Sequence, residues 1–494
     1  MTRLSPVAQP PQHLDAIPRA YWVKIAIAFF VMGVWALWMG PSYHADEWWV
    51  HGVWCFVGLA VAVPTLVRVV RLDFAQVLTD HRLMFLSSFS LYFLFGSAML
   101  TYGSELEVGA VLGHFPIGTP EALRVDGINA IGFSMALLTA ALSRGTWLGA
   151  QAAKTAAVVS RLPATRVITT LLVLGGGAAY YLLTFDLGWR QGIPAGLFRN
   201  LAQLVLVAIF LAVSHRGERE RILRLFGVLV ALGLAFTSTL MFSKSGALLP
   251  LAALVAGLAM RYGSRRVLPL GLVMLAGGFF ILGNLTIQSR ITSYSSYTMS
   301  MVERVVTVFD AWALSSDLEE EDEYSYWGRL CYVPTAAAGL AFYDEGNGGD
   351  GFQLMWWVAV PRFLAPQKPQ ITKTSVELYE KITGYTTSSD GQGIFASGYY
   401  HGGWFGLVFA SVVCGWIVAQ TSAIARAIYL GGALLMLPLS LLGLFIAFRI
   451  DGDFVSDYLG AFMFILYPIL AAALFVPRVS AGAGVTTAAV GASR

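Results

Sequence analysis

The stretch SSDGQGIFASGYYHGGWFGLVFASVVCGWIVA, residues 388–419, passes from a polar segment into an apolar run. The run from 404 to 420 carries no charged side chain and approaches the ~20 apolar residues that a helical bilayer crossing needs. Upstream, the polar segment reaches back to Ile287, where another apolar run ends. The chain therefore reads as two hydrophobic blocks around one long polar stretch, 287–403. Lipid satisfies no exposed backbone group, so the apolar runs must be helices. Composition agrees: of 494 residues, 57% are hydrophobic and 12% charged, where soluble domains carry about 25% charged residues. Mean hydropathy is +0.66.

Working outward, the fold class is an all-α, polytopic integral membrane protein with about twelve transmembrane helices. The expected spans are 22–39, 50–70, 83–100, 127–143, 167–185, 198–213, 222–241, 246–260, 267–286, 404–420, 427–447 and 457–476. The organisation is a tail at 1–21, a transmembrane bundle at 22–286, a large loop at 287–403, helices at 404–476 and a tail at 477–494. Within the loop, 301–316 has a mixed helical pattern. Residues 330–343 are apolar but too short to cross and suit an interfacial or re-entrant helix, and the Trp-rich 352–360 is also short, as expected at a membrane interface.

Orientation follows from Lys and Arg in the short connections. One alternate set is basic: Arg68, Arg71 and Arg82; Arg144, Lys154, Arg161 and Arg166; SHRGERERILR at 214–224; RYGSRR at 261–266. The intervening set is acidic: Asp46 and Glu47; Glu105, Glu107, Glu121 and Asp126; Asp451, Asp453 and Asp457. Both termini are then cytoplasmic and the long loop is external, which in a bacterium is the periplasmic face of the inner membrane. The polar N-terminal residues lead into an uncleaved first span. Cys55, Cys331 and Cys414 form no disulfide framework, and no metal-ligand spacing is visible.

The external side holds cations that run against the charge bias: Arg190, Arg199, Lys244, Arg290, Arg304, Arg329, Arg362, Lys368 and Lys373. Guanidinium groups facing an external cavity suit a diphosphate, which they grip with a planar fork. His401 is the one histidine of the loop and the leading general base. Asp390 and Glu345 are weaker candidates. Tyr399, Tyr400 and Trp404 suit stacking on sugar rings, although an interfacial aromatic belt explains them more readily.

From Val360 onward the chain reads VPRFLAPQKP, then ELYEKITG, then the stretch quoted first. Pro361, Arg362, Pro366, Lys368 and Pro369, followed by Tyr399, His401, Gly403 and Gly406, resemble the Wzy-type O-antigen and exopolysaccharide repeat-unit polymerases. This group of GT-C-like membrane glycosyltransferases includes the O-antigen ligases. Lys244-Ser245-Gly246 is similar to a short element of that family in which Arg is usual. The acidic residue often found before the aromatic element is missing, with Ala396 and Ser397 in that region. The resemblance implies polymerisation of undecaprenyl-diphosphate-linked oligosaccharide repeats outside the membrane, with no cofactor and no metal. The lipid bilayer, chain-length regulators and export proteins are the implied partners, and nucleic acid is not. Three alternatives stand beside it: a GT-C monosaccharide transferase using a polyprenyl-phosphate sugar with Asp46 as base, an O-antigen ligase, and a lipid-linked oligosaccharide flippase or transporter. The sparse charge within the spans and the lack of two related halves count against the last.

The orientation is checkable. A membrane-impermeant thiol reagent should label cysteines placed at Asp46 and Glu321 in intact cells, and one at Arg478 only after permeabilisation.

Overall fold

The computed structural model describes residues 17–72, 74–113, 115–143, 147–159, 162–186, 198, 201–216, 220–241, 244–292, 301–314, 327–360, 364–369, 371, 373–384 and 391–475. Every regular element among them is helical. In chain order they are α1 (Arg19–Met39), α2 (Trp48–Arg71), α3 (Phe74–Thr79), α4 (His81–Phe89), α5 (Met99–Tyr102), α6 (Glu105–Leu112), α7 (Thr119–Leu142), α8 (Trp147–Val159) and α9 (Ala164–Asp186). Then come α10 (Leu204–Ser214), α11 (Glu220–Leu240), α12 (Lys244–Tyr262) and α13 (Ser264–Thr292). The polar stretch supplies α14 (Met301–Leu314), α15 (Val333–Asp344), α16 (Gly351–Val358) and α17 (Lys373–Thr383). Last are α18 (Ile394–Gly431), α19 (Leu437–Phe448) and α20 (Gly460–Phe475).

Among the described residues, 8 helical runs are long and apolar enough to cross a membrane, and Leu204–Ser214, Gly246–Tyr262 and Leu434–Phe448 are shorter apolar helices. Their outward faces carry large exposed hydrophobic side chains, such as Phe56, Val173 and Phe236. Water would not tolerate so much apolar surface, and lipid does. The chain is a polytopic helical membrane protein.

α7 is the packing centre, lying between α1 and α18. Small residues bring these helices close. A Cβ on Gly33 would stand 2.8 Å from the Gly127 carbonyl oxygen, and one on Gly127 3.0 Å from that of Gly33. Such close approach suits membrane bundles, where packing replaces the hydrophobic effect between helices. Above this contact a phenylalanine stack fills the core. The Phe89 and Phe133 rings stack at 4.1 Å, and Phe29 meets both edge-on at 5.2 Å. α10, α11 and α12 form a second, smaller core around Ile209, Val213, Ala231 and Leu254.

Two local irregularities aim groups toward one end. Between α4 and α5 the backbone widens into a π-helical turn, Ser90–Gly96. The Phe95 carbonyl there accepts the Trp327 indole N–H at 2.6 Å, which ties residue 327 to the bundle. In α18 the helix breaks at Gly402 and Gly403, where Gly403 has φ 58°. The Tyr343 hydroxyl occupies the space a Cβ on residue 403 would need.

Three expectations need correction. The span expected at 404–420 belongs to a helix that starts ten residues earlier, at Ile394, and continues to Gly431. Apolar content alone placed its start, and the buried polar residues before the break hid the rest. The span expected at 427–447 is Leu437–Phe448, after a turn at Gly432. The span expected from 127 starts at Thr119, so Asp126 lies inside the helix and is fully buried. Replacing Gly403 by Ala should lower the thermal midpoint of the detergent-solubilised protein. The left-handed backbone alone costs about 1–2 kcal/mol, and displacing Tyr343 adds to it.

Candidate active site

Four segments converge where α18 begins: the start of α7, the end of α15, the start of α16 and the turn before α20. Their polar side chains form two adjoining clusters.

The first cluster is closed. Asp453 caps the π-helical turn Phe454–Leu459, accepting the backbone N–H groups of Val455 and Ser456 at 2.9 and 2.7 Å. Its other oxygen accepts the Ser397 hydroxyl at 2.7 Å and lies 3.1 Å from His401 Nε2. Ser397 and His401 are four residues apart, so one face of α18 presents both. The backbone N–H of Gly351 donates to His401 Nδ1 at 3.2 Å. An accepting Nδ1 puts the ring proton on Nε2, where it points at Asp453. Burial pushes the Asp453 carboxyl up, but hydrogen bonds from His401, Ser456 and Ser397 outweigh it and hold the group well below the usual carboxylate range.

This geometry bears on the expected base. The His401 side chain is 1% exposed, and the lone pair that would take a proton from a sugar hydroxyl is engaged. His401 here is a strut joining α18, α16 and the Asp453 turn. Tyr400, expected to stack on a sugar, is also enclosed at 2% exposure. Its hydroxyl accepts from Lys381 Nζ at 3.0 Å, and that ammonium also donates to the Asn347 carbonyl.

The second cluster is open. Arg124 Nη2 lies 2.6 Å from Asp344 Oδ2 and donates to the Tyr399 hydroxyl at 3.2 Å. The Tyr399 hydroxyl donates to Asp344 Oδ1 at 3.1 Å, which closes a triangle. The Arg124 and Asp344 side chains are 41% and 39% exposed. Among the described residues, Arg124 Nε and Nη1 have no partner. The Tyr343 and Trp404 rings meet Tyr399 edge-on at 5.3 and 5.7 Å. Arg124 also lines a cleft of about 520 Å³ with Ala45, Pro116, Glu121, Val125 and Leu340. An exposed guanidinium, a carboxylate and aromatic edges beside an open cleft can bind a phosphorylated saccharide and move a proton.

The other expected residues divide in three. Glu345 is exposed beside Asp344, and Lys368 Nζ donates to the Val360 carbonyl at 2.9 Å. Lys244, Arg290 and Arg329 have described backbone, at the start of α12, in α13 and in the turn Gly328–Leu330, but their side chains lie outside the described residues. Arg190, Arg199, Arg362 and Asp390 lie outside them altogether.

Arg124, Asp344 and Asp453 were missed from the sequence. A signal for Arg124 existed. Pro120 stands in the first turn of α7, and Glu121 accepts the Gly118 N–H at 2.9 Å, as helix starts do. Read so, the helix begins at 119 and carries Arg124 on its first turns. No family model, curated protein or solved structure matches the chain.

Replacing Asp453 by Asn should destabilise the protein by about 2–3 kcal/mol, because Ser397 and His401 lose a charged acceptor. The folded carboxyl titrates below its unfolded value of about 3.9. Its stabilisation is therefore complete above that pH and fades on further acidification. The gap in thermal midpoint between wild type and Asp453→Asn should accordingly narrow below pH ~4.

Proposed function

We propose that this chain is a membrane glycosyltransferase that polymerises undecaprenyl-diphosphate-linked oligosaccharide repeat units at the periplasmic face of a bacterial inner membrane. The observation that carries the reading is the open Arg124–Asp344–Tyr399 triangle, set among aromatic rings at the bundle end that receives the loop helices. The resemblance of residues 361–369 and 399–406 to Wzy-type polymerases supports it. In this reading about twelve helices cross the membrane, both termini are cytoplasmic, and the apolar helix faces carry the lipid tails.

The chemistry assigned is transfer of a growing chain from its lipid diphosphate to a sugar hydroxyl of the next unit. The diphosphate departs with the anomeric bond, and the hydroxyl loses its proton to a base. Asp344 is better placed than His401 to be that base, because it is accessible and adjoins the cleft. Arg124 pairs with Asp344 until substrate phosphate competes for the guanidinium. Developing charge on the leaving diphosphate is then stabilised by Arg124 and by the loop cations expected to face the same side. Tyr399 and Trp404 supply surfaces for the sugar.

A second reading, the monosaccharide transferase with Asp46 as base, is favoured by one feature. The Ala45 carbonyl accepts from Thr119 at 3.0 Å and Ala45 lines the same cleft, so exposed Asp46 stands at its rim.

The test is mass spectrometry of lipid-linked oligosaccharides in a deletion strain. Complete single repeats on the outer face, with polymer lost, are expected. Asp344→Asn should reproduce this, with turnover down about 100-fold or more, while His401→Gln should act mainly on protein level. Repeats lacking one sugar, restored by wild type and not by Asp46→Asn, would overturn the polymerase in favour of the second reading. Free polymer that is never attached to its acceptor would mark a ligase, and repeats trapped inside a flippase.

A further inference from the structure

Away from these clusters, three potential metal ligands meet inside the bundle. His51 in the first turn of α2, Cys55 one turn further and Asp126 in α7 bring their donor atoms within 4.8 Å of one another. All three residues are fully buried. His51 Nε2 is 3.0 Å from Asp126 Oδ2 and 3.9 Å from Cys55 Sγ. A tetrahedral zinc-class ion with bonds of about 2.0–2.3 Å separates N, O and S donors by about 3.3–3.6 Å. The two separations from His51 are within about 0.3 Å of those values, and Cys55 Sγ and the Asp126 carboxylate, within 4.8 Å of each other, would draw together by up to about 1.5 Å around the ion.

The protonation pattern points the same way. The Thr101 hydroxyl donates to the Trp48 carbonyl at 2.9 Å, which leaves its oxygen to accept from His51 Nδ1 at 3.1 Å. A neutral His51 therefore carries its proton on Nδ1 and aims the Nε2 lone pair at Asp126 and Cys55. This outer partner is what fixes the tautomer of a metal-ligating histidine. Asp126 is otherwise left without support. Among the described residues neither carboxylate oxygen receives a well-directed hydrogen bond, and both side-chain amide atoms of the buried Asn129, one turn on, are also unpartnered.

We infer that His51, Cys55 and Asp126 bind a divalent transition-metal ion of the zinc class, with the fourth position open to a water. Charge supports the choice. A dication, one thiolate, one carboxylate and a neutral imidazole sum to zero, which an apolar bundle tolerates. An isolated imidazolium–carboxylate pair there bears a desolvation penalty of several kcal/mol per ion. The ion ties α2 to α7, and binding releases the Cys55 proton. Sequence spacing concealed the site, because Asp126 is 71 residues beyond Cys55 and stands in a connection by hydropathy.

The test uses the full chain, stripped with chelator and reloaded with Zn²⁺ or Co²⁺ in detergent. About one equivalent per chain should survive desalting. The Co²⁺ form should show thiolate-to-metal charge-transfer absorption that Cys55→Ser abolishes and Cys414→Ser keeps. Thr101→Val should weaken Zn²⁺ binding about 10–100-fold while leaving the stoichiometry unchanged. Wild-type protein that is monodisperse after stripping, yet takes up neither ion, overturns the inference and leaves an ion pair only. Retention of the charge-transfer band in folded Cys55→Ser would overturn the assigned ligand set. Neither readout depends on glycosyl transfer, so the site stands or falls apart from the proposed activity.

Discussion

The Asp453 carboxylate receives Ser397, His401 and two backbone N–H groups, and through them it joins α18, α16 and the turn into α20. A carboxylate taken out of water loses several kcal/mol of hydration. Four donors offset that loss only if all are held at once, so the node also fixes the orientation of α18. Ser397 and His401 share its inner face. Tyr399, two residues from each, is turned roughly 200° away, since each helical residue advances about 100°. Its hydroxyl then reaches Arg124 and Asp344. The break at Gly402 and Gly403 frees the next turn from that register, which lets Trp404 lie exposed beside Tyr399. The closed cluster thus positions the open one.

Hydropathy made the helices legible because bilayer thickness dictates the length of an apolar run. Among the described residues 8 helical runs are long and apolar enough to cross, while the spans expected at 198–213, 246–260 and 427–447 fall on shorter apolar helices. Side-chain roles were far less legible. Asp126 and Asp453 looked like acidic members of external connections. Each sits at the edge of an apolar run, where an exposed and a buried carboxylate share the same local sequence. The deciding partners are His51 and His401, 75 and 52 residues away, and no local pattern announces such pairings. Arg82 misled in the same way: counted among the basic connections, it is buried against Asp80 at 2.6 Å. Charge counting survives such errors because orientation depends on a sum over many connections. Site assignment does not, because it depends on single residues.

The resemblance to a polymerase family drew attention to His401, and the chemistry of its ring redirects it. A base must present a lone pair to its substrate. His401 offers its lone pair to Gly351 and its proton to Asp453, so both nitrogens serve the fold. Asp344 keeps one oxygen beside a guanidinium at the mouth of a cleft, where a substrate phosphate can take the guanidinium over. The difference is one of access, and access follows from the helical register of α18, which turns Tyr399 and His401 to opposite sides.

The two buried histidine–carboxylate pairs sharpen the point. Both place Nε2 about 3 Å from an aspartate oxygen near the start of a long helix. In the pair at 401 an accepting Nδ1 puts the proton on Nε2, and three further donors saturate Asp453. In the pair at 51 a donating Nδ1 leaves Nε2 bare, and among the described residues Asp126 has no other donor, while a thiol stands alongside. The same two side chains, at nearly the same separation, are thus fully partnered in one place and, among the described residues, not in the other. The group that sets the difference is the one behind the ring: a backbone N–H at Gly351, a hydroxyl oxygen at Thr101. Neither would be found by asking which residues can ligate or catalyse, and each decides whether its histidine can.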